Sequence, residues 1–147
     1  MKSAQQGKKI RVVLDTNIII SAAISEEGAP ARIFELLILE LIENFTSEDI
    51  VEEIEEVFQR RKIADLISEE DKAFVINNYK KFSTKVKPVT KIDKIKEDSE
   101  DNKFLEVAVT VDADFIISGD AHLKQIKSYG NIRILTPKEF IEEIFSD

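Results

Sequence analysis

Cysteine and tryptophan are absent from the 147 residues, and histidine occurs once. Without thiols, disulfides, zinc fingers and cysteine nucleophiles are excluded, and an intracellular setting fits. With His122 alone, neither a two-histidine metal motif nor a Ser-His-Asp arrangement suggests itself. Ser21 and Ser25 have no base to activate them. Two tyrosines, Tyr79 and Tyr129, are too few and too scattered for a base-stacking platform. Four glycines and three prolines mark no interdomain linker. An excess of positive charge is also missing. Twenty-one Lys+Arg stand against 29 Asp+Glu, a net charge of −8, whereas a general nucleic-acid binder is basic over its whole surface. The apolar stretch at 10–24 is interrupted by Arg11, Asp15 and Asn17, and is too short and too polar to span a bilayer.

What is present is the composition of one ordinary domain, 43% hydrophobic and 34% charged. Residues 1–9 are polar and basic and read as a flexible leader, leaving 10–147 as a single domain. Short β-branched runs alternate with longer amphipathic stretches. Ile10–Leu14 reads as a buried strand. Over 29–43, Ile33, Phe34, Leu37, Ile38 and Leu41 recur at helical spacing. Phe45 and Thr46 suggest a short second strand. Ser47 caps the next helix, with Glu48 and Asp49 at its positive end and a stripe of Ile50, Val51, Ile54, Val57 and Phe58. A further helix runs from Ser68 to about Phe82, followed by an expected third strand at 85–89. A charged connection covers 92–100. The chain then reads as a helix over 101–111, a strand at Phe115–Ile117, a short helix from Asp120 and a strand at Ile132–Leu135. Thr136, Pro137 and Glu139 announce the last helix through a capping box. This alternation predicts an α/β fold, a parallel sheet with helices on both faces and right-handed crossovers.

Ligands in such folds bind beyond the carboxyl ends of the strands. Asp15, with Thr16 and Asn17, follows the first strand. Asp120 follows the Phe115–Ile117 strand across Ser118 and Gly119. Asp101 and Asn102 open the helix that feeds that strand, and Glu53 lies early in the helix after the second. Four carboxylates meeting on one rim repel one another, so one or more is driven to bind a proton unless a cation is present. Mg²⁺ takes oxygen ligands and keeps several waters, which suits a few carboxylates. An ion held so can polarise a phosphoryl oxygen, and phosphodiester hydrolysis is the chemistry that follows. Each acid also has a plain structural reading. Asp15 and Asp120 can be helix caps. Glu53, beside Glu52, Glu55 and Glu56, can belong to a solvated face, and Asp101 lies in an acidic run that favours a helix start. His122 reads as a partly exposed residue of a first helical turn.

The segments VVLDTNIIISA, TSEDIVEEIEEVF, DSEDNKFLEVAVTVDADFIISGD and ILTPKEF resemble, in type and order, the motifs of the PIN-domain family. The likeness covers nearly the whole chain and is nearest to the stand-alone prokaryotic branch of toxins from toxin–antitoxin pairs. It implies a three-layer α/β/α fold with a central parallel β-sheet. It also implies an Mg²⁺- or Mn²⁺-dependent ribonuclease in the cytoplasm, an RNA substrate, an antitoxin protein as partner, and a homodimer. By the same likeness Asp15, Glu53 (or the adjacent Glu52), Asp101 and Asp120 are the metal-binding and catalytic acids. Asn17, Asn102 and Ser118 support them. Ser118 stands where the family usually has threonine, and His122 where related sequences often have an acid.

Positive charge is concentrated at 80–96, with seven lysines against one acid, Asp93. These lysines suit either an edge protected from aggregation or a phosphate-contacting strip. Lys80, Lys81, Lys85, Lys87 and Arg32 are the candidate RNA contacts, with Arg60, Arg61 and Lys62 nearby. A basic surface also suits an acidic protein partner such as an antitoxin. Two other functions compete with the nuclease. One is a non-catalytic scaffold that binds RNA or protein. The other is a receiver-like phosphoacceptor, disfavoured because the first strand ends in Asp15-Thr16-Asn17 and Lys138 lies inside a capping box.

Overall fold

The structure, a computed structural model, describes residues 8–89, 91–92 and 101–145. Most of the expected leader and of the 92–100 connection lies outside them. The described residues form β1 (Ile10–Leu14), α1 (Thr16–Ile24), α2 (Ala29–Ile38), β2 (Ile42–Thr46), α3 (Glu48–Gln59), α4 (Arg61–Ala64), α5 (Glu69–Phe82) and β3 (Ser83–Lys85). After the connection come α6 (Asn102–Val111), β4 (Phe115–Ile117), α7 (Ala121–Ile126), β5 (Ser128–Tyr129), β6 (Ile132–Leu135) and α8 (Pro137–Ile144).

The sheet has the order β3-β2-β1-β4-β6-β5. Five strands run parallel, and β5 alone is antiparallel, to β6. From β1 the chain steps outward through β2 to β3, then returns to the other side of β1 for β4 and β6. Right-handed crossovers therefore place α1 to α5 on one face and α6 and α7 on the other. Consistently, α6 packs on β1, β2 and β4, while α8 packs on α2 and β6. The expected mixed fold with a central, mostly parallel sheet is what the chain forms.

Strand β1 is covered on both faces, so Val12, Val13 and Leu14 form an unbroken buried run rather than an alternation. Ile116 and Ile117 of β4, Ile33 and Leu37 of α2, Ile50 and Ile54 of α3, and Phe104 and Leu105 of α6 close the core around it.

Three boundaries differ from the sequence expectation. The helix expected over 29–43 stops at Ile38. Glu40 turns left-handed at φ 59, and the Leu41 and Glu40 N–H groups donate to the Leu36 and Leu37 carbonyls at 2.9 and 3.0 Å, a Schellman ending. Leu41 thus leaves the helical stripe, and β2 begins at Ile42, three residues earlier than Phe45. The third strand is Ser83–Lys85, not 85–89. Ser83, Thr84 and Lys85 pair with Asn44, Phe45 and Thr46, and β2 offers no ladder beyond Thr46. Strand β5 was too short to read. It folds back on β6 around Gly130, whose φ of 61 the turn requires.

Candidate metal centre

The sheet reverses its strand order between β1 and β4, and the crevice at such a switch point is where open α/β sheets bind ligands. Both flanking strands end in polar residues there. The Asp15 N–H extends the ladder by donating to the Ile117 carbonyl at 3.0 Å, and the Ser118 N–H donates to the Leu135 carbonyl at 2.8 Å. Hydrogen bonding thus locks Asp15 and Ser118 side by side in the sheet. The Ser118 hydroxyl donates to Asp15 Oδ2 at 2.6 Å and accepts the Asp120 N–H at 2.9 Å. One buried hydroxyl therefore joins the first acid to the fourth.

Asp15 is only 3% exposed. It is also a cap, because Oδ1 accepts the Asn17 N–H at 3.2 Å. Burial holds its carboxyl above the ordinary value of 3.8, against the lowering by the Ser118 and Asn17 bonds, and the charges of Asp120 and Glu53 push it the same way. Asp120 likewise caps α7, accepting the His122 and Leu123 N–H groups on Oδ1 at 2.8 and 3.2 Å. Capping and membership of the acidic rim are thus not alternatives, since one oxygen of each carboxylate satisfies a helix start.

Glu53 is turned inward from α3 and is not on a solvated face. Oε1 accepts the Thr16 hydroxyl, and Oε2 pairs with Lys103 Nζ at 3.0 Å, with the two side chains 23% and 12% exposed. Glu52 is exposed. Asp101 directly precedes α6 and is buried, but its side chain makes no capping hydrogen bond to that helix. One potential ligand atom from each of Asp101, Asp120 and His122 lies within 4.8 Å of the others. Asn102 is buried beside Asp101, and Asn17 is exposed beside Asp15.

Thr16, Lys103 and His122 join this neighbourhood without having been singled out as site residues. Thr16 had a signal, its place next to Asp15. Lys103 had none, because only the packing of α3 against α6 brings it to Glu53. Among the lysines, Lys80 pairs with Glu55 at 2.8 Å and Lys85 with Glu48 at 2.6 Å. Lys81 lies over the Phe82 ring, and Arg32 is 3.9 Å from Glu35 on its own helix. Lys85 and Lys87, with Glu48, Asp49, Lys91 and Glu106, line a groove of about 570 Å³. It adjoins a second cleft of about 540 Å³ that reaches Glu53 and Lys103. Tyr79 is fully buried, its hydroxyl donates to Thr46 Oγ1, and burial pushes its phenol up to about 12.

A PIN domain family model matches residues 11–122, which include all four acids. The chain belongs to the PIN domain family. An uncharacterized protein of Methanocaldococcus jannaschii is 34% identical over 144 residues, covering 92% of each chain. PIN domains are generally nucleases and typically depend on a metal. The site of this PIN domain fits a divalent ion on its own terms. Burial, and after it the charges of Asp120 and Glu53, raises the Asp15 carboxyl, a cost that a cation relieves, and the donors are carboxylate oxygens with one imidazole nitrogen. Among the described residues, no helix is long and apolar enough to cross a membrane.

Proposed function

We propose that this PIN domain is a metal-dependent endoribonuclease acting on RNA phosphodiesters, and that it is the toxin of a toxin–antitoxin pair. The observation that carries the nuclease reading is the convergence at the switch point. Asp15 feels the charges of Glu53 and Asp120, and Asp120 meets Asp101, although the four come from distant parts of the chain. Asp15, Glu53, Asp101 and Asp120 would hold Mg²⁺ or Mn²⁺. Such an ion supplies Lewis acidity toward a phosphoryl oxygen and a water nucleophile at neutral pH.

The chain's own contribution is positioning. Ser118 fixes Asp15 Oδ2, and Thr16 and Lys103 fix the two oxygens of Glu53. Asn17 and Asn102 flank Asp15 and Asp101 as supporting polar groups. Lys85 and Lys87 border the groove that continues to Glu53, which suits an RNA backbone approaching the acids. Lys80, Lys81 and Arg32 are further candidate phosphate contacts. In this reading the nucleophile is a water activated by the ion, and no covalent enzyme intermediate forms. The toxin reading rests on likeness to the stand-alone prokaryotic branch. It carries with it an antitoxin partner, a homodimer and a cytoplasmic location.

The test is cleavage of RNA and DNA with and without divalent ions. RNA cleavage should require Mg²⁺ or Mn²⁺, stop with EDTA, and fall more than about 100-fold in Asp15→Asn. Undiminished cleavage by that variant sinks the assignment. Retained RNA affinity with no divalent binding in calorimetry favours the scaffold reading instead.

A further inference from the structure

His122 brings a ring nitrogen to a set of potential ligand atoms otherwise made of carboxylate oxygens. Its backbone is fixed by the N–H bond to Asp120 Oδ1 at 2.8 Å, so the imidazole and that carboxylate hang from the same turn. Nδ1 is buried and has no hydrogen-bond partner among the described residues. It lies 3.8 Å from Asp120 Oδ1, while the side chain as a whole is 39% exposed. The ring therefore has a dry inner nitrogen and an outer edge in contact with solvent.

A buried ring nitrogen with nothing to bond is costly. A lone pair directed at a cation removes that cost, with the ring proton on Nε2 facing water. The spacing suits this. Ligands about 2.1 Å from an octahedral ion lie about 3.0 Å apart when adjacent and about 4.2 Å apart when opposite. The His122 Nδ1–Asp120 Oδ1 distance of 3.8 Å lies between the two, and the potential ligand atoms of Asp101, Asp120 and His122 all lie within 4.8 Å of one another.

We infer that His122 is a further metal ligand of this centre, through Nδ1, and that it tilts the centre toward Mn²⁺ over Mg²⁺. Mg²⁺ demands oxygen ligands and gains little from imidazole, whereas first-row transition ions accept it. The inference rests on reading Asp101 and Asp120 as metal ligands.

The chain has one histidine, so untagged protein loaded with Mn²⁺ gives an unambiguous pulsed-EPR test. Modulation from a directly bound nitrogen should appear in the wild type and vanish in His122→Asn. Calorimetry should show the Mn²⁺ dissociation constant rising about tenfold in that variant and the Mg²⁺ constant changing less than about threefold. His122→Asp, which returns an oxygen donor, should bind both ions with the Mn²⁺ preference lost. Its binding guards against a variant that simply fails to fold. Tight Mn²⁺ binding without nitrogen modulation in the wild type, or modulation that persists in His122→Asn, overturns the inference and leaves the acidic centre standing. No Mn²⁺ binding by the wild type overturns both.

Discussion

Charge is handled in opposite ways at the acidic rim and at the lysine-bearing edge, and α3 contributes to both. At the rim, Glu53 is drawn inward to Thr16 and Lys103, and Asp15 is buried against Ser118. At the edge, Glu48 and Glu55 reach outward to Lys85 and Lys80. Glu48 and Glu55 are seven residues apart and share a helix face, while Glu53 lies about 140° around from Glu48. One helix thus sends glutamates of the same chemistry into two dielectrics. Outside, the Lys85 bond holds the Glu48 carboxyl below its ordinary value, yet such exposed pairs contribute little and are screened by salt. Inside, burial disfavours the charged form of Asp15 first of all, and the charges of Asp120 and Glu53 add to it. The difference teaches that the rim's carboxylates are kept together against their own repulsion, whereas the edge pairs are an incidental neutralisation of a solvated surface.

If that contrast is right, the largest effect comes from breaking the rim without removing any acid. Ser118→Ala removes the hydroxyl that joins Asp15 to the Asp120 backbone. Divalent affinity in calorimetry should fall about 10- to 100-fold, as for other groups that orient ligands. An unchanged affinity breaks the comparison, because the rim would then be as loosely held as the edge. The next effect is in pH. Asp15 has its carboxyl raised by burial and by Asp120 and Glu53, so the folded state holds a proton that the unfolded chain has already released. Stability without metal is therefore fully present below the ordinary value of 3.8 and is lost as pH rises through the raised one. The melting temperature of the wild type minus that of Asp15→Asn should drop by a few degrees across that window. Added Mg²⁺ should restore it. A difference that rises with pH reverses the sign of the argument.

Much of the rim was legible because its residues sit at element ends. Asp15 and Asp120 each follow a strand by one to three residues, and a strand's end is the easiest boundary to read from a run such as VVLD or FIISGD. Glu53 was harder. Its neighbours Glu52, Glu55 and Glu56 made a solvated face the natural reading, and only the packing of α3 against α1 turns it toward Thr16. Lys103 and the inner nitrogen of His122 carried no periodic signal at all, since their roles depend on which helix lies opposite. The end of α2 was misread for a different reason. A glutamate at the left-handed position of a Schellman turn lacks the glycine that would have announced it, so the apolar pattern ran on through Leu41.

Two smaller perturbations sharpen the contrast further. Lys103→Met strips the cation from Glu53 while keeping its length. Without divalent ions it should cost about 1–2 kcal/mol in thermal unfolding. That deficit should shrink when Mg²⁺ is added, because the ion replaces the lost charge. A deficit indifferent to Mg²⁺ would mean that Lys103 and the metal centre are independent.

The smallest effect belongs to the edge. Lys80→Ala and Lys85→Ala break two exposed ion pairs, and melting temperatures should move by less than about 2 °C in each. RNA binding measured against salt is the more telling readout. If these lysines contact phosphates, each substitution should lower the slope of log affinity against log salt by about 0.7, the value for one charge on a single strand. Their present partners, Glu55 and Glu48, must then give them up when RNA arrives, which exposed pairs do at little cost. A slope that does not change leaves the lysines as guards of the β3 edge. In that case RNA must reach the rim by the cleft between α3 and α6, past Arg60 and Lys103, without help from Lys80 and Lys85.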